Sequence, residues 1–277
     1  MTVEVTLLGT GSPVPSPDRA GPATLVRAGG ATILVDCGRG VVMRLSAAGV
    51  LPVGLSAVLL THLHSDHITD LNDIVTTHWI MTFAPTPLLV FGPPGTQRVV
   101  DAVLEMLALD QRYRHAHHAD LQHPPTVSVT EVAPGATVDV AGANVEVFET
   151  DHRPVAPTVG YRISHDGASA AIGGDGVPCP GLDALCAGAD IYVQTVIRDD
   201  LVRSVPNARL QDICDYHSTV EQAAQTASHA GVGTLVLTHL VPAPAPGAEE
   251  EWRTRAAAHF AGRIVVGADL TVVAARP

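Results

Sequence analysis

Short apolar runs, separated by breaks containing Gly, Pro and Asp, recur along the whole chain and predict many short strands. Residues 3–8 alternate and then run apolar, as a strand entering a core does. Ala23-Thr24-Leu25-Val26-Arg27 and Thr32-Ile33-Leu34-Val35-Asp36 flank Gly29-Gly30 and predict a β-hairpin. Ala57-Val58-Leu59-Leu60 and Leu88-Leu89-Val90-Phe91 do not alternate, which fits strands buried on both faces. A second strand series occupies 127–129, 137–140 and 144–148, broken by Pro134-Gly135 and Ala141-Gly142. Further strands are predicted at 159–163, 169–172, 190–193 and 235–237, with 263–266 and 270–273 closing the chain.

Helical spacing appears between these runs. Val41, Val42, Leu45 and Ala48 suit one face of a helix ending at Gly49. Residues 68–83 begin as a helix, and another carries Val99, Val103, Leu104 and Leu107. Ser218 and Glu221 have capping-box spacing ahead of a helix that buries Val220, Ala223, Ala224 and Ala227. Residues 206–216 are less regular, and 242–251 reads as a Pro/Ala/acidic loop. Strands and helices interleaved in this way give an α/β class.

A length of 277 residues with 46% hydrophobic content supports a substantial core, and residues 1–277 are expected to form a single domain. No apolar run is long enough for a transmembrane helix, and the start shows no signal-peptide pattern; no membrane association and a cytoplasmic location are expected. Cys37, Cys179, Cys186 and Cys214 form no C-x-x-C pair and are expected to be reduced thiols. Net charge is −12, and all 16 basic residues are arginine. That balance argues against broad nonspecific nucleic-acid binding, which depends on neutralising phosphates.

The chemistry concentrates where the run 57–60 stops. His62-Leu63-His64-Ser65-Asp66-His67 places three imidazoles and a carboxylate within six residues. An extended backbone points His62 and His64 to the same side, and Asp66 and His67 follow after a turn. Such donors suit zinc and related divalent ions. Candidates elsewhere sit after strand-like runs: His152 in Glu149-Thr150-Asp151-His152, Asp175 in Ile172-Gly173-Gly174-Asp175-Gly176, and His239 in Leu237-Thr238-His239.

The H-x-H-x-D-H pattern with these three downstream residues resembles the metallo-β-lactamase superfamily. Leu8-Gly9-Thr10-Gly11-Ser12-Pro13, Gly160-Tyr161-Arg162, Gly174-Asp175 and Tyr216-His217-Ser218-Thr219 are most similar to its ribonuclease Z-like, arylsulfatase-related branch. The resemblance implies a four-layer αβ/βα sandwich, the metallo-β-lactamase fold, with ligands where two sheets meet. It implies two Zn²⁺ ions (Mn²⁺ or Fe being alternatives), one held by His62, His64 and His152, the other by Asp66, His67 and His239, with Asp175 bridging. Two such ions about 3.5–4 Å apart share a water or hydroxide and bring its pKa toward about 7. Asp66 is then both ligand and proton acceptor. His217 either stabilises charge and protonates the leaving oxygen, or orients a helix start by a hydrogen bond.

The same resemblance implies a phosphodiesterase or endoribonuclease acting on RNA or a small phosphodiester, with an arylsulfatase-like or carboxylic-ester hydrolase of a small anionic substrate as the alternative. A non-catalytic metal-binding module is a third reading. A homodimer is implied too. Members that process tRNA 3′ ends commonly carry a tRNA-gripping arm between the positions of His152 and Asp175, and here those residues are only 23 apart. Asp36 either supports the metal-binding loop or is an ordinary strand-end turn residue. Arg112–His118 (RYRHAHH) reads either as a solvated loop or as a segment facing a substrate oxyanion.

Overall fold

The predicted strands assemble into two seven-stranded sheets in the computed structural model, which describes residues 3–245 and 247–275. In the first sheet, β1 (Glu4–Gly9), β2 (Ala23–Ala28), β3 (Ala31–Val35), β4 (Ala57–Leu59), β5 (Leu88–Gly92) and β6 (Val127–Glu131) lie side by side in chain order. Pairing is antiparallel from β1 to β3 and parallel from β3 to β6. The second sheet runs from β7 (Thr137–Val140) through β8 (Ala143–Glu149), β9 (Val159–His165), β10 (Ala168–Ile172), β11 (Ile191–Ile197) and β12 (Thr234–Val241) to β13 (Arg263–Val266). Its β10–β13 half is parallel. β14 (Val272–Ala274) returns to the first sheet beside β1.

Helices cover the outer faces. α1 (Val41–Ala47), the single turn α2 (Ser65–Ile68), α3 (Leu71–Ile80) and α4 (Thr96–His117) belong to the first half of the chain. α5 (Pro180–Cys186), α6 (Asp199–Ser204), α7 (Ala208–Asp212), α8 (Val220–Ala230) and α9 (Glu249–Ala257) belong to the second. Three apolar cores hold the layers together. Val5, Leu7, Ile33 and Leu59 meet Val145, Ile163, Val193 and Val236 between the sheets. Leu45, Ile74 and Val100 pack on the outside of the first sheet. Leu185, Ala224 and Trp252 pack on the outside of the second. The result is the expected αβ/βα sandwich. Two hydrogen bonds cross between sheets at the end of β4: Val159 N donates to Thr61 O (2.9 Å) and Tyr161 Oη to Leu60 O (2.7 Å).

Several local expectations change. Residues 127–129 do not open the second half; β6 pairs parallel with β5, because α4 is long enough to make the crossover that parallel pairing requires. The stretch 112–118 is not a loop but mainly the last turns of α4. Asp110 accepts from Arg114 Nε one turn on (2.6 Å), and cationic residues near a helix C-terminus are favourable to its dipole. The capping box sits one residue later than the spacing implied, at Thr219 and Gln222. Residues 206–216 contain α7 and a short 3₁₀ turn, Ile213–Asp215. Of the loop expected at 242–251, Glu249–Glu251 form the acidic first turn of α9, and Pro246 lies outside the described residues. The four cysteines are free thiols.

Candidate metal centre

The centre begins where β4 ends. Thr61 to His64 continue extended, His64 caps α2 from the β region, and that one turn brings Asp66 and His67 inward. Asp36, beyond β3, adopts φ +63°, a left-handed conformation that costs a non-glycine residue about 1–3 kcal/mol. Its carboxylate accounts for the strain. It accepts from Thr61 N (2.8 Å), Thr61 Oγ1 (2.8 Å) and His67 Nδ1 (2.8 Å). Asp36 therefore supports the loop, rather than serving as an ordinary turn residue.

These bonds fix which ring nitrogens face inward. Thr61 has one hydroxyl hydrogen, given to Asp36, so its oxygen accepts from His62 Nδ1 (3.0 Å). His67 donates Nδ1–H to Asp36, and His152 donates Nδ1–H to the Tyr216 carbonyl (2.8 Å). The Nε2 atoms of His62 and His152 are thus left as lone pairs, and Nε2 is the His67 nitrogen that faces the other ligands. His62 Nε2 and His152 Nε2 lie 3.1 and 3.3 Å from His64 Nδ1, and a single Nδ1–H could satisfy only one of them.

The second half contributes its residues singly. β8 leads to His152, β10 to Asp175, and β12 contains His239. His239 is not at a strand end: it occupies a bulge, with φ +47°, where the register against β11 shifts, and the strand continues to Val241. A bulge re-aims a side chain that regular pleating would point elsewhere. The loop before Asp175 needs its glycines. Gly174 has φ +67°, and a Cβ there would fall 2.9 Å from Thr61 Cβ.

The ligand atoms form two groups, each within 4.8 Å internally: His62, His64, His152 and Asp175, and Asp66, His67 and His239. Asp175 joins them. Its Oδ2 lies 3.8 Å from His62 Nε2, 3.4 Å from His67 Nε2, 3.9 Å from His152 Nε2, 3.3 Å from His217 Nε2 and 3.5 Å from His239 Nε2. Asp66 Oδ2 lies 3.2 Å from His239 Nε2. Buried His67 Nε2 and Asp175 Oδ1 have no hydrogen-bond partner among the described residues. Orphaned donors of this kind, with converging lone pairs, fit divalent cations.

Electrostatics agree. Burial pushes His62 well below its ordinary pKa, with the charge of His67 adding to it, and takes His152 down to about 4. Both are neutral near neutrality, the form a metal needs. Burial alone would raise Asp175, but His239, His67 and His217 around it hold it well below the usual carboxylate range. His67 is raised: burial opposes its charge, and Asp175 and Asp36 outweigh that. Without a cation a proton occupies this carboxylate-lined point, so binding metal releases it.

All seven residues singled out in the sequence as ligands, and His217, come together here. His217 donates Nδ1–H to the Ile213 carbonyl (3.0 Å) and turns Nε2 toward Asp175. Its ring is thus oriented from the turn that precedes it, beside α8. Sequence reasoning missed Thr61 and the carbonyls of Ile213 and Tyr216. Thr61 adjoins the motif and could have been weighed, but a carbonyl leaves no residue-type signal.

Comparison with known proteins agrees with this arrangement. Residues 31–240 match the family model described as a beta-lactamase superfamily domain. A ribonuclease Z of Mycolicibacterium paratuberculosis is 60% identical over 270 residues, spanning 97% of this chain and 96% of the relative. One of Mycobacterium bovis is 58% identical over 277 residues, spanning 99% of both. Among solved structures, the metallo-beta-lactamase fold protein YhfI from Bacillus subtilis superposes with TM-score 0.76 at 21% identity, covering 99% of this chain and 100% of the other. The short form of human tRNase Z superposes with TM-score 0.72 at 24% identity, again covering 99% and 100%. These two share the fold. By its family model and its relatives, the chain belongs to the ribonuclease Z family of the metallo-β-lactamase superfamily.

Proposed function

We propose that this metal-dependent hydrolase of ribonuclease Z type cleaves RNA phosphodiesters with two Zn²⁺ ions. In this reading His62, His64 and His152 hold one ion, Asp66, His67 and His239 the other, and Asp175 lies between. The observation that carries it is Asp175 Oδ2 set within 4 Å of four imidazole nitrogens, two from each group, and of His217 Nε2 as well. When bound, the cations supply Lewis acidity and a nucleophilic water at neutral pH.

The chain's own groups divide the remaining work. Asp66, held below its ordinary pKa against the effect of burial by His239 and His67, is ionised and accepts a proton near the attacking side. His217 has committed Nδ1–H to Ile213, so its transferable proton sits on Nε2. Burial opposes that charge, but Asp175 outweighs it and raises the pKa, which suits a donor to the departing ribose oxygen. Burial of both groups excludes bulk water.

The relatives favour this over an aryl-sulfate or carboxylic-ester hydrolase. Between His152 and Asp175 the chain holds only a loop and the β9–β10 hairpin, so any tRNA substrate is gripped without an arm at this position. No helix among the described residues is long and apolar enough to cross a membrane. A single domain over 1–277, a homodimer and a cytoplasmic location belong to the same proposal. Limited proteolysis, sedimentation and cell fractionation test them in turn.

Metal content measured alongside cleavage of a precursor tRNA, a bis-aryl phosphodiester and an aryl sulfate tests the core of it. Two zinc ions per chain and turnover of the RNA are expected. Fast sulfate release with neither phosphodiester cleaved would overturn it.

A further inference from the structure

His239 is held unlike the other rings of the centre. His62, His67, His152 and His217 each engage a protein oxygen through Nδ1. His239 Nδ1 is buried and has no hydrogen-bond partner among the described residues. A ligating imidazole is ordinarily aimed through its second nitrogen. Here neither a side chain nor a carbonyl sets the ring, so its aim comes from the backbone. That backbone is left-handed, φ +47°, at the bulge of β12. Such a conformation persists in a non-glycine residue only where its surroundings over-determine it.

Two anchors bracket the bulge. Leu240 N, one residue beyond His239, donates to Thr10 O (3.1 Å), just past the end of β1. The Leu237 carbonyl, two residues before His239, accepts from Gly267 N (2.8 Å), just past β13. Both anchors are gathered by the same polar groups. Arg19 Nη1 donates to Thr10 Oγ1 (2.6 Å) and to Gly267 O (2.8 Å). Asp269 Oδ1 accepts from Thr10 N (3.0 Å) and Thr10 Oγ1 (2.8 Å). Its Oδ2 accepts from Ala20 N (2.7 Å) and faces Arg44 Nε (2.9 Å), and its side chain is only 6% exposed. Bonds to an ionised acceptor are the strong kind, so this carboxylate is a stiff point. Thr10 gives its one hydroxyl hydrogen to Asp269 and accepts from Arg19, and cannot turn without losing both.

We infer that Asp269 is a positioning residue for one of the two ions: through Thr10 it fixes the bulge that aims His239. It therefore sets the affinity of the Asp66, His67 and His239 group and leaves that of His62, His64 and His152 alone. Asp36 differs in reaching both groups, His67 directly and His62 through Thr61. The role given to Asp269 rests on the two-ion reading above and names the remote residue on which one ion depends.

The test is a Zn²⁺ titration of the metal-free full chain in competition with a chromophoric chelator. Wild type should take up two zinc ions per chain. Asp269→Asn, which keeps the shape and removes the charge, should weaken one of them by about 10–100-fold and spare the other. Thr10→Val cuts the link at its other end and should weaken the same ion, so the comparison stands even where Asp269→Asn does not fold. Thr10→Ser keeps the hydroxyl and should bind zinc as wild type does. The weakened ion should be the one lost in His239→Ala and kept in His152→Ala. Equal weakening of both ions in Asp269→Asn and Thr10→Val, or no weakening in either, would overturn the inference and leave the two-ion reading intact. So would a Thr10→Ser as impaired as Thr10→Val. A wild type that takes up only one zinc per chain would overturn the two-ion reading and the inference together.

Discussion

The two halves of the molecule hold their imidazoles in different ways. In the first, His67 and His62 are fixed through side chains: Asp36 accepts from His67 directly and from Thr61, which in turn accepts from His62. In the second, His152 and His217 are fixed by the main-chain carbonyls of Tyr216 and Ile213. A carboxylate partner orients a ring and also makes it more basic, and one substitution removes it. A carbonyl, which carries no net charge, orients the ring and also favours its protonated form, but it survives any replacement of its own side chain. The first half can thus be tuned residue by residue, whereas the second is adjusted only by moving the 213–216 turn.

This contrast can be broken in graded steps. The largest effect is expected at the point where the halves meet. Asp175→Ala should lower kcat/KM by about a thousandfold or more, some 4 kcal/mol, and reduce bound metal, with circular dichroism unchanged. An active, metal-replete variant would remove Asp175 from its place between the two groups. Next comes the carboxylate support: Asp36→Asn should weaken metal binding by about 10–100-fold in a chelator titration. An equal loss from Tyr216→Phe would erase the distinction between the halves.

A smaller effect is expected from pH. His152 has an ordinary pKa of 6.5 and about 4 when folded, so between these values the unfolded chain binds the extra proton. Its contribution is that metal-free protein loses stability as pH falls from about 6.5 to about 4, by at most about 3 kcal/mol. The raised pKa values of His67 and His217 act oppositely: their contribution is complete below 6.5 and fades as pH rises through the folded values. Thermal melts of wild type against His152→Asn isolate the first effect; parallel curves would refute it. The smallest change is expected from Tyr216→Phe, which keeps the carbonyl and should bind metal nearly as wild type does.

Legibility in the sequence followed the same division. The ligands at 62–67 are contiguous, so spacing alone marked them as a metal motif. His152, Asp175 and His239 are isolated in sequence, and only their order after strand-like runs linked them to a known family. What was missed depends on three-dimensional neighbours. The bulge at His239 arises from a register shift against β11, and nothing in Leu237-Thr238-His239 announces it. The helix over 112–117 is obscured in sequence by its density of Arg and His, whereas helical spacing and the Asp110–Arg114 pair decide the backbone. Short strand runs bounded by breaks announce an α/β class, and the sandwich follows only from the resemblance; nothing in 127–129 tells which sheet takes it, because its parallel pairing with β5 depends on the α4 crossover.

The contact of Gly174 against Thr61 has one more consequence. No side chain fits between them, and the adjacent hydrogen bonds from Val159 and Tyr161 to the end of β4 close the same seam. The halves are stitched together at the very place where the metal ligands converge, so parting the two sheets there would break both hydrogen bonds and pull Thr61 away from the ligands that follow it.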